Sequence, residues 1–253
     1  MFPVILKIGN FVITSYGVML VIAFLLGTFI AEKRAEKKGI DKKHINDLVI
    51  WIVLGTIIGA RLMYVAFHWN EFANDLIGII AFWRGGLGGL MYYGGFILSF
   101  IFGLIFVKVK KIPLLKLLDV VSIPLALGQG IGRIGCFLNG CCFGNPSHTC
   151  GIVFPHRSPA GSIFPYTPVI PTQLFHSFAS FLIALIIFIF EKKKRSDGSS
   201  FAIFLGLFGF QRLIINFFRY YENLPNYIVN QSIALLLVIT GIVMLSFIYR
   251  RNK

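Results

Sequence analysis

The 253-residue chain is 57% hydrophobic and only 13% charged, with a mean hydropathy of +0.80. That balance excludes an ordinary soluble domain and points to membrane-spanning helices. A formal net charge of +14 suggests nucleic acid at first sight, yet 17 of the 24 lysines and arginines fall in four clusters between apolar runs, a pattern of membrane topology.

From the N-terminus, apolar windows of about twenty residues predict seven spans. They lie at about 12–31, 46–67, 87–107, 115–138, 171–190, 201–217 and 230–249. The first lacks a basic n-region and a small-residue cleavage site, so it reads as a retained span. The connections are short, and the expected fold is all-α, a polytopic membrane protein with residues 1–253 as a single domain. The basic clusters are Lys33, Arg34, Lys37, Lys38, Lys42 and Lys43; Lys108, Lys110, Lys111 and Lys116; Lys192, Lys193, Lys194 and Arg195; and Arg250, Arg251 and Lys253. Seven spans place all four on one side, which sets the N-terminus outside and the C-terminus in the cytoplasm. They are read as topology determinants and anionic-lipid contacts, with no nucleic-acid partner.

The opposite connections carry the unusual residues. Residues 82–95, FWRGGLGGLMYYGG, hold six glycines with Trp83, Arg84, Tyr92 and Tyr93. They read either as a re-entrant entry or as close helix packing, with the aromatics as interface anchors. The longest connection, 139–170, is rich in Pro, Gly and Ser and is placed to cover a site from outside. Arg212 and Arg219 stand seven residues apart and are expected on one helical face.

The most informative segment is 128–144, GQGIGRIGCFLNGCCFG. An arginine at bilayer depth costs about 3 to over 10 kcal/mol, depending on the reference state. The spans hold almost no acids; Asp119 sits near the cytoplasmic end of the fourth. Arg133 and Arg212 therefore imply an anionic ligand, most naturally a phospholipid, whose phosphate suits bidentate guanidinium bonding. Arg61 also lies inside its run, where snorkelling is the ordinary alternative. The cysteine spacing C-x4-C-C-x7-C lacks the paired C-x2-C of a structural zinc site. Three readings stand for the cysteines: a disulfide from Cys150 to Cys141 or Cys142, small buried residues, or a nucleophile. No motif implies a metal or an organic cofactor. His176 is the histidine expected at membrane depth near this face.

The segment Gly132 to Gly144 resembles the signature of bacterial phosphatidylglycerol–prolipoprotein diacylglyceryl transferases. The resemblance extends in order to Ser15-Tyr16-Gly17, Gly59-Ala60-Arg61-Leu62, Gly86 to Gly95, Pro171-Thr172-Gln173-Leu174-Phe175 and Arg212 to Arg219. It implies a multi-pass enzyme of the bacterial cytoplasmic (inner) membrane, with its active site toward the outer face. Such an enzyme moves diacylglyceryl from phosphatidylglycerol to the lipobox cysteine thiol of a prolipoprotein and releases glycerol phosphate. Carried onto this sequence, the resemblance assigns catalysis and headgroup handling to Arg133 and Arg212. Tyr93 is the positional candidate for proton handling and His176 the chemical one. Tyr16, Arg61, Asn139, Gly144, Gln173 and Arg219 form the candidate substrate-binding set. Several positions depart from the best-known family pattern. Tyr93 stands for a histidine, Cys136 for an asparagine, Cys141 for a glutamate, Asn216 for an acid and Phe208 for a tyrosine. These mark a divergent Tyr-Gly-Gly / Gly-Cys-Cys branch. Two alternatives remain: a paralogue of the same fold that acts on another acceptor or only binds phospholipid, and a transporter for an anionic headgroup. The lack of internal repeats and of a mid-span coupling carboxylate weighs against transport.

Overall fold

A short hairpin precedes the first span. β1 (Val4–Ile8) pairs antiparallel with β2 (Phe11–Thr14), with an irregularity between Val4 and Leu6. The computed structural model describes residues 4–8, 11–72, 76–80, 91–193 and 195–251. Thr14 Oγ1 accepts the Gly17 N–H at 3.1 Å, which caps the helix that follows. The first span therefore begins at Ser15, later than its apolar run suggested. α1 (Ser15–Lys37) then continues through Arg34 and Lys37, cations suited to a helix C-terminus.

The remaining helices are α2 (Lys42–Phe67), α3 (Trp69–Phe72), α4 (Leu76–Ile80), α5 (Tyr92–Val109) and α6 (Leu114–Asn139). They are followed by α7 (Pro159–Ile163), α8 (Thr172–Phe190), α9 (Ser199–Asn216) and α10 (Leu224–Arg251). Among the described residues seven helices are long and apolar enough to cross a membrane: α1, α2, α5, α6, α8, α9 and α10. Their order matches the seven predicted windows.

The chain forms two compact units, residues 1–31 with 115–253, and residues 32–114. In the second unit, α2 and α5 meet through glycines. A Cβ on Gly55 would lie 2.8 Å from Ser99 Cα, and one on Gly95 2.9 Å from the Thr56 carbonyl oxygen. Gly94 and Gly95 thus serve close packing, one of the two readings open from sequence. Residues 82–90, with Trp83 and Arg84, lie outside the described residues, as do Lys194 and Lys253. Arg61 does not snorkel to a helix end. It donates from Nε to the Ile79 carbonyl at 2.9 Å and from Nη2 to that of Gly78. These are carbonyls at the end of a helix too short to satisfy them internally.

In the first unit the apolar core is Ile123 and Ala126 of α6, Ile183, Ala184 and Ile187 of α8, and Phe204 of α9. Gly130 lets Phe181 lie on α6, since a Cβ there would come within 2.6 Å of the ring. Ser177 Oγ donates to the Gly130 carbonyl at 2.9 Å. α9 and α10 close on each other at Gly206 and Gly241, where a Cβ on Gly241 would sit 2.6 Å from the Gly206 nitrogen. Asp119 is buried for a structural reason. Its carboxylate accepts the Gly198 N–H at 2.9 Å and the Phe201 N–H at 3.1 Å, so it caps α9, whose positive end favours an anion.

The connection between α6 and α8 has its own core of Phe143, Phe154, Ala160 and Val169, with Phe164 and Tyr220 packed against it. Tyr220 stacks on Phe143 at 5.7 Å and meets Phe164 edge-on at 5.0 Å. Loop chemistry of this composition usually reads as mobile; here aromatic packing makes it a built cap over one end of the unit.

Candidate active site

The site lies where α6 ends, α8 begins and α9 ends. Gly140, at φ 72°, terminates α6. Its N–H bonds to the Phe137 carbonyl at 3.1 Å, and the Cys141 N–H bonds to the Cys136 carbonyl at 3.1 Å. This is the Schellman pair of hydrogen bonds, in which the second residue past the cap returns to the helix's last turn. Cys141 is thereby set against Cys136. Cys142 takes φ 61°, a conformation that costs a β-carbon-bearing residue about 1–2 kcal/mol. The sulfurs of Cys136, Cys141 and Cys142 all lie within 4.8 Å of one another. All four cysteines of the chain are free thiols, with Cys150 exposed.

The start of α8 holds this turn in place. Thr172 Oγ1 donates to the Cys142 carbonyl at 2.9 Å, and Gln173 Nε2 to the Cys141 carbonyl at 2.7 Å. Both side chains are fully buried. The Cys141 thiol donates to the Cys136 carbonyl at 3.7 Å. The backbone then passes Gly144, where a Cβ would fall 2.5 Å from the Phe218 carbonyl oxygen and 2.8 Å from Ile170 Cβ. Gly144 donates to the Ile170 carbonyl at 2.8 Å, and Asn145 to that of Phe218 at 2.9 Å. Only glycine fits this three-way approach.

That approach also fixes Arg219. The expectation that Arg212 and Arg219 share one helical face is not met, because α9 ends at Asn216 and Arg219 sits in an isolated antiparallel bridge with Gly144. The loop reaches it from the other side, so the two arginines still converge. Arg212 donates from Nη2 to Asn230 Oδ1 at 3.0 Å, and its buried Nε has no partner among the described residues. Arg219 lies over the Tyr221 ring at 5.3 Å. Arg133 is half-buried and, among the described residues, has no hydrogen-bond or ion-pair partner. The charges of all three act on His176, and those of Arg133 and Arg219 act on Arg212. Asp119, on the same helix as Arg133, is about 21 Å away along its axis at 1.5 Å per residue.

His176 is 2% exposed, and its Nε2 has no partner among the described residues. Tyr16, in the first turn of α1, packs on α6 at Gly135, where a Cβ would lie 3.2 Å from the Tyr16 ring. Tyr16 feels the charge of Arg133. Of the residues expected from sequence, Arg133, Arg212, Arg219, His176, Tyr16, Asn139, Gly144 and Gln173 all belong to the first unit. Tyr93 and Arg61 belong to the second; Tyr93 is exposed at the start of α5.

Three features were missed in the sequence. Asn216 is buried, accepting from the Tyr221 hydroxyl at 3.0 Å and donating to Gln231 Oε1 at 3.0 Å. The amide serves both bonds, donating to Gln231 and accepting from Tyr221. Burial pushes the Tyr221 phenol up, against the pull of Arg219, Arg212 and Arg133, which keeps it a donor. An open cleft of about 360 Å³ adjoins them, lined by Asn216, Arg219, Tyr221 and Glu222 among others. The third feature is the sulfur cluster. The three thiols titrate together. Hydrogen bonds from Cys136 and Cys141 lower the Cys142 thiol, with burial opposing and Arg219 and Arg133 assisting. The Cys141 thiol is raised, the lowering bond to Cys136 being outweighed by its bond to Cys142 and by burial. The signal was present in Cys136-Phe-Leu-Asn-Gly-Cys141, since a glycine cap predicts contact between those two positions.

Residues 3–247 match the family model of prolipoprotein diacylglyceryl transferases. A phosphatidylglycerol–prolipoprotein diacylglyceryl transferase of Trichormus variabilis is 32% identical over 99% of this chain and 91% of its own length. One of Clostridium tetani is 30% identical over 95% of each chain. A third, of Listeria innocua, is 31% identical over 99% of this chain and 90% of its own.

Proposed function

Because the chain belongs to the prolipoprotein diacylglyceryl transferase family, we propose that it carries diacylglyceryl from phosphatidylglycerol to the lipobox cysteine thiol of prolipoproteins and releases glycerol phosphate. In this reading it is a multi-pass protein of the bacterial cytoplasmic membrane. Its N-terminus and active site face outward and its basic connections face the cytoplasm. The observation that carries the reading is the convergence of Arg133, Arg212 and Arg219 on one buried region with no ion pair among the described residues.

The chemistry follows from that charge. The donor's phosphate leaves with an added negative charge when the bond between glyceryl carbon and phosphate oxygen breaks. Fixed guanidinium groups in a dry site stabilise that developing charge; removing one such donor typically costs about 100- to 1000-fold in rate. Arg133 and Arg212 take this role, and Arg219, at the edge of the polar cleft, binds the headgroup. Tyr16, Asn139, Gly144 and Gln173 shape the pocket, the last through its hold on the Cys141 carbonyl. The acceptor thiol must become thiolate, since a thiol of pKa about 8.5 is a poor nucleophile. His176, buried beside the arginines with a nitrogen unpartnered among the described residues, is the group assigned to proton handling; Tyr93 keeps the candidacy that the resemblance gives it by position. Arg61 keeps the lipid-binding role that the resemblance implies.

The test uses purified protein in phosphatidylglycerol-containing micelles with a lipobox peptide. The expected result is a diacylglyceryl mass added at the peptide cysteine with equimolar glycerol phosphate, and no addition to a Cys-to-Ser peptide. Folded, lipid-binding protein that leaves the peptide unmodified would overturn the reading.

A further inference from the structure

The geometry points to a three-thiolate metal site at Cys136, Cys141 and Cys142, selective for a thiolate-preferring ion of the zinc class, whose fourth position takes the acceptor thiol. This deepens the transferase reading and rests on it for the role of the fourth ligand.

The three sulfurs already lie within 4.8 Å of one another. Around one ion with metal–sulfur bonds of about 2.3 Å, tetrahedral geometry places neighbouring sulfurs about 3.8 Å apart. The sulfurs need to close by about 1 Å at most, a change within side-chain rotation. The backbone holds them from two sides. The glycine cap at the end of α6 returns Cys141 to Cys136, and Thr172 and Gln173 grip the carbonyls of Cys142 and Cys141. The Cys141 sulfur also lies against the Cys136 carbonyl at 3.7 Å. Hydrogen bonds of this kind around the ligands orient and tune a metal site. The left-handed backbone at Cys142 is strain of the sort that persists at functional sites.

Charge supports the assignment. Three thiolates around a divalent ion carry a net single negative charge, and a fourth thiolate makes two. Arg133 and Arg219, both acting on Cys142, supply two positive charges. Hydrophobic burial alone gives no reason for three thiols to cluster where Arg133 and Arg219 act on them.

Catalytic zinc sites keep one position open, and a thiol bound there is deprotonated outright. Here the acceptor thiol loses its proton on coordination, and His176 takes it up at Nε2, which has no partner among the described residues. Its sulfur lone pair forms the S–C bond to the glyceryl carbon while the C–O bond to phosphate breaks. That bonding pair leaves with the oxygen as glycerol phosphate, held by the arginines. The thioether formed is a weaker ligand and dissociates; the ion does not change oxidation state.

The experiment is metal analysis and cobalt substitution of the full-length protein, purified under reductant. Chelator-treated protein reloaded with Co²⁺ is expected to show the sulfur-to-cobalt charge-transfer band and the intense visible bands of a tetrahedral thiolate site. Stoichiometric zinc is expected after reloading with Zn²⁺. Cys142→Ser and Cys136→Ser should lose the band, while Cys150→Ser, an exposed thiol outside the cluster, should keep it. Size-exclusion profiles and melting curves exclude misfolding as the cause. Adding the lipobox peptide should shift the visible bands, and the Cys-to-Ser peptide should not. Folded protein that modifies the peptide with neither band nor zinc, or whose three thiols are found disulfide-bonded in the active form, overturns the site and leaves the transferase reading intact. A thiolate band that the peptide never shifts overturns the fourth-ligand role. Bound zinc with no modified peptide counts against the transferase reading, not the site.

Discussion

Asn216 shows how one side chain explains a departure from pattern. It bridges the Tyr221 hydroxyl to Gln231, using both the acceptor and the donor of an amide. Asn216→Ala leaves two partners unpaired and is expected to lower stability by about 1–3 kcal/mol, read as a fall in melting temperature. Tyr221→Phe should cost less, because it deletes only one end. Such roles were illegible beforehand, since the partners lie on other elements. Arg133 was legible because an unpaired charge in an apolar run demands a reason. The shared helical face of Arg212 and Arg219 was misread, because sequence spacing says nothing about where a helix stops.

The spans themselves were readable because lipid demands long apolar runs that satisfy their own backbone. Their ends were less so. α1 starts where Thr14 caps it, and the apolar strands before it share the composition of a span, a known ambiguity for short apolar runs. The end of α6 matters most for the chemistry. Gly140 needs positive φ, and a Cβ there would lie 2.6 Å from Ser158 Cβ. Gly140→Ala is expected to cost about 1–2 kcal/mol or more and to loosen the cysteine turn, read as lower thermal stability with a disproportionate loss of turnover. Asp119, at the other end of the same helix, anchors α9 through two backbone N–H groups. Asp119→Ala should destabilise the protein by about 1–3 kcal/mol, with turnover per folded molecule little changed.

Across the molecule, four basic clusters and one cationic pocket of different purpose share a single excess of positive charge. The clusters flank the helices and, in the proposed reading, orient the chain; Arg133, Arg212 and Arg219 instead bear on one another and on His176. In the proposed orientation Cys150 lies outside. A membrane-impermeant thiol reagent should therefore label it in intact spheroplasts, with Cys150→Ser as the control. Labelling only after permeabilisation would reverse the topology. Composition and periodicity carried the seven spans because these rest on local chemistry. The sulfur cluster and the polar network depend on approaches between distant segments, which no single window of sequence contains.

The most direct test of the phosphate-stabilising role is turnover of Arg133 variants under saturating phosphatidylglycerol. Arg133→Ala is expected to lower kcat by about 100-fold or more, with Arg133→Lys recovering part of it and both variants melting like the wild type. An Arg133→Ala protein that keeps near wild-type kcat, or that loses only apparent lipid affinity, would contradict the account.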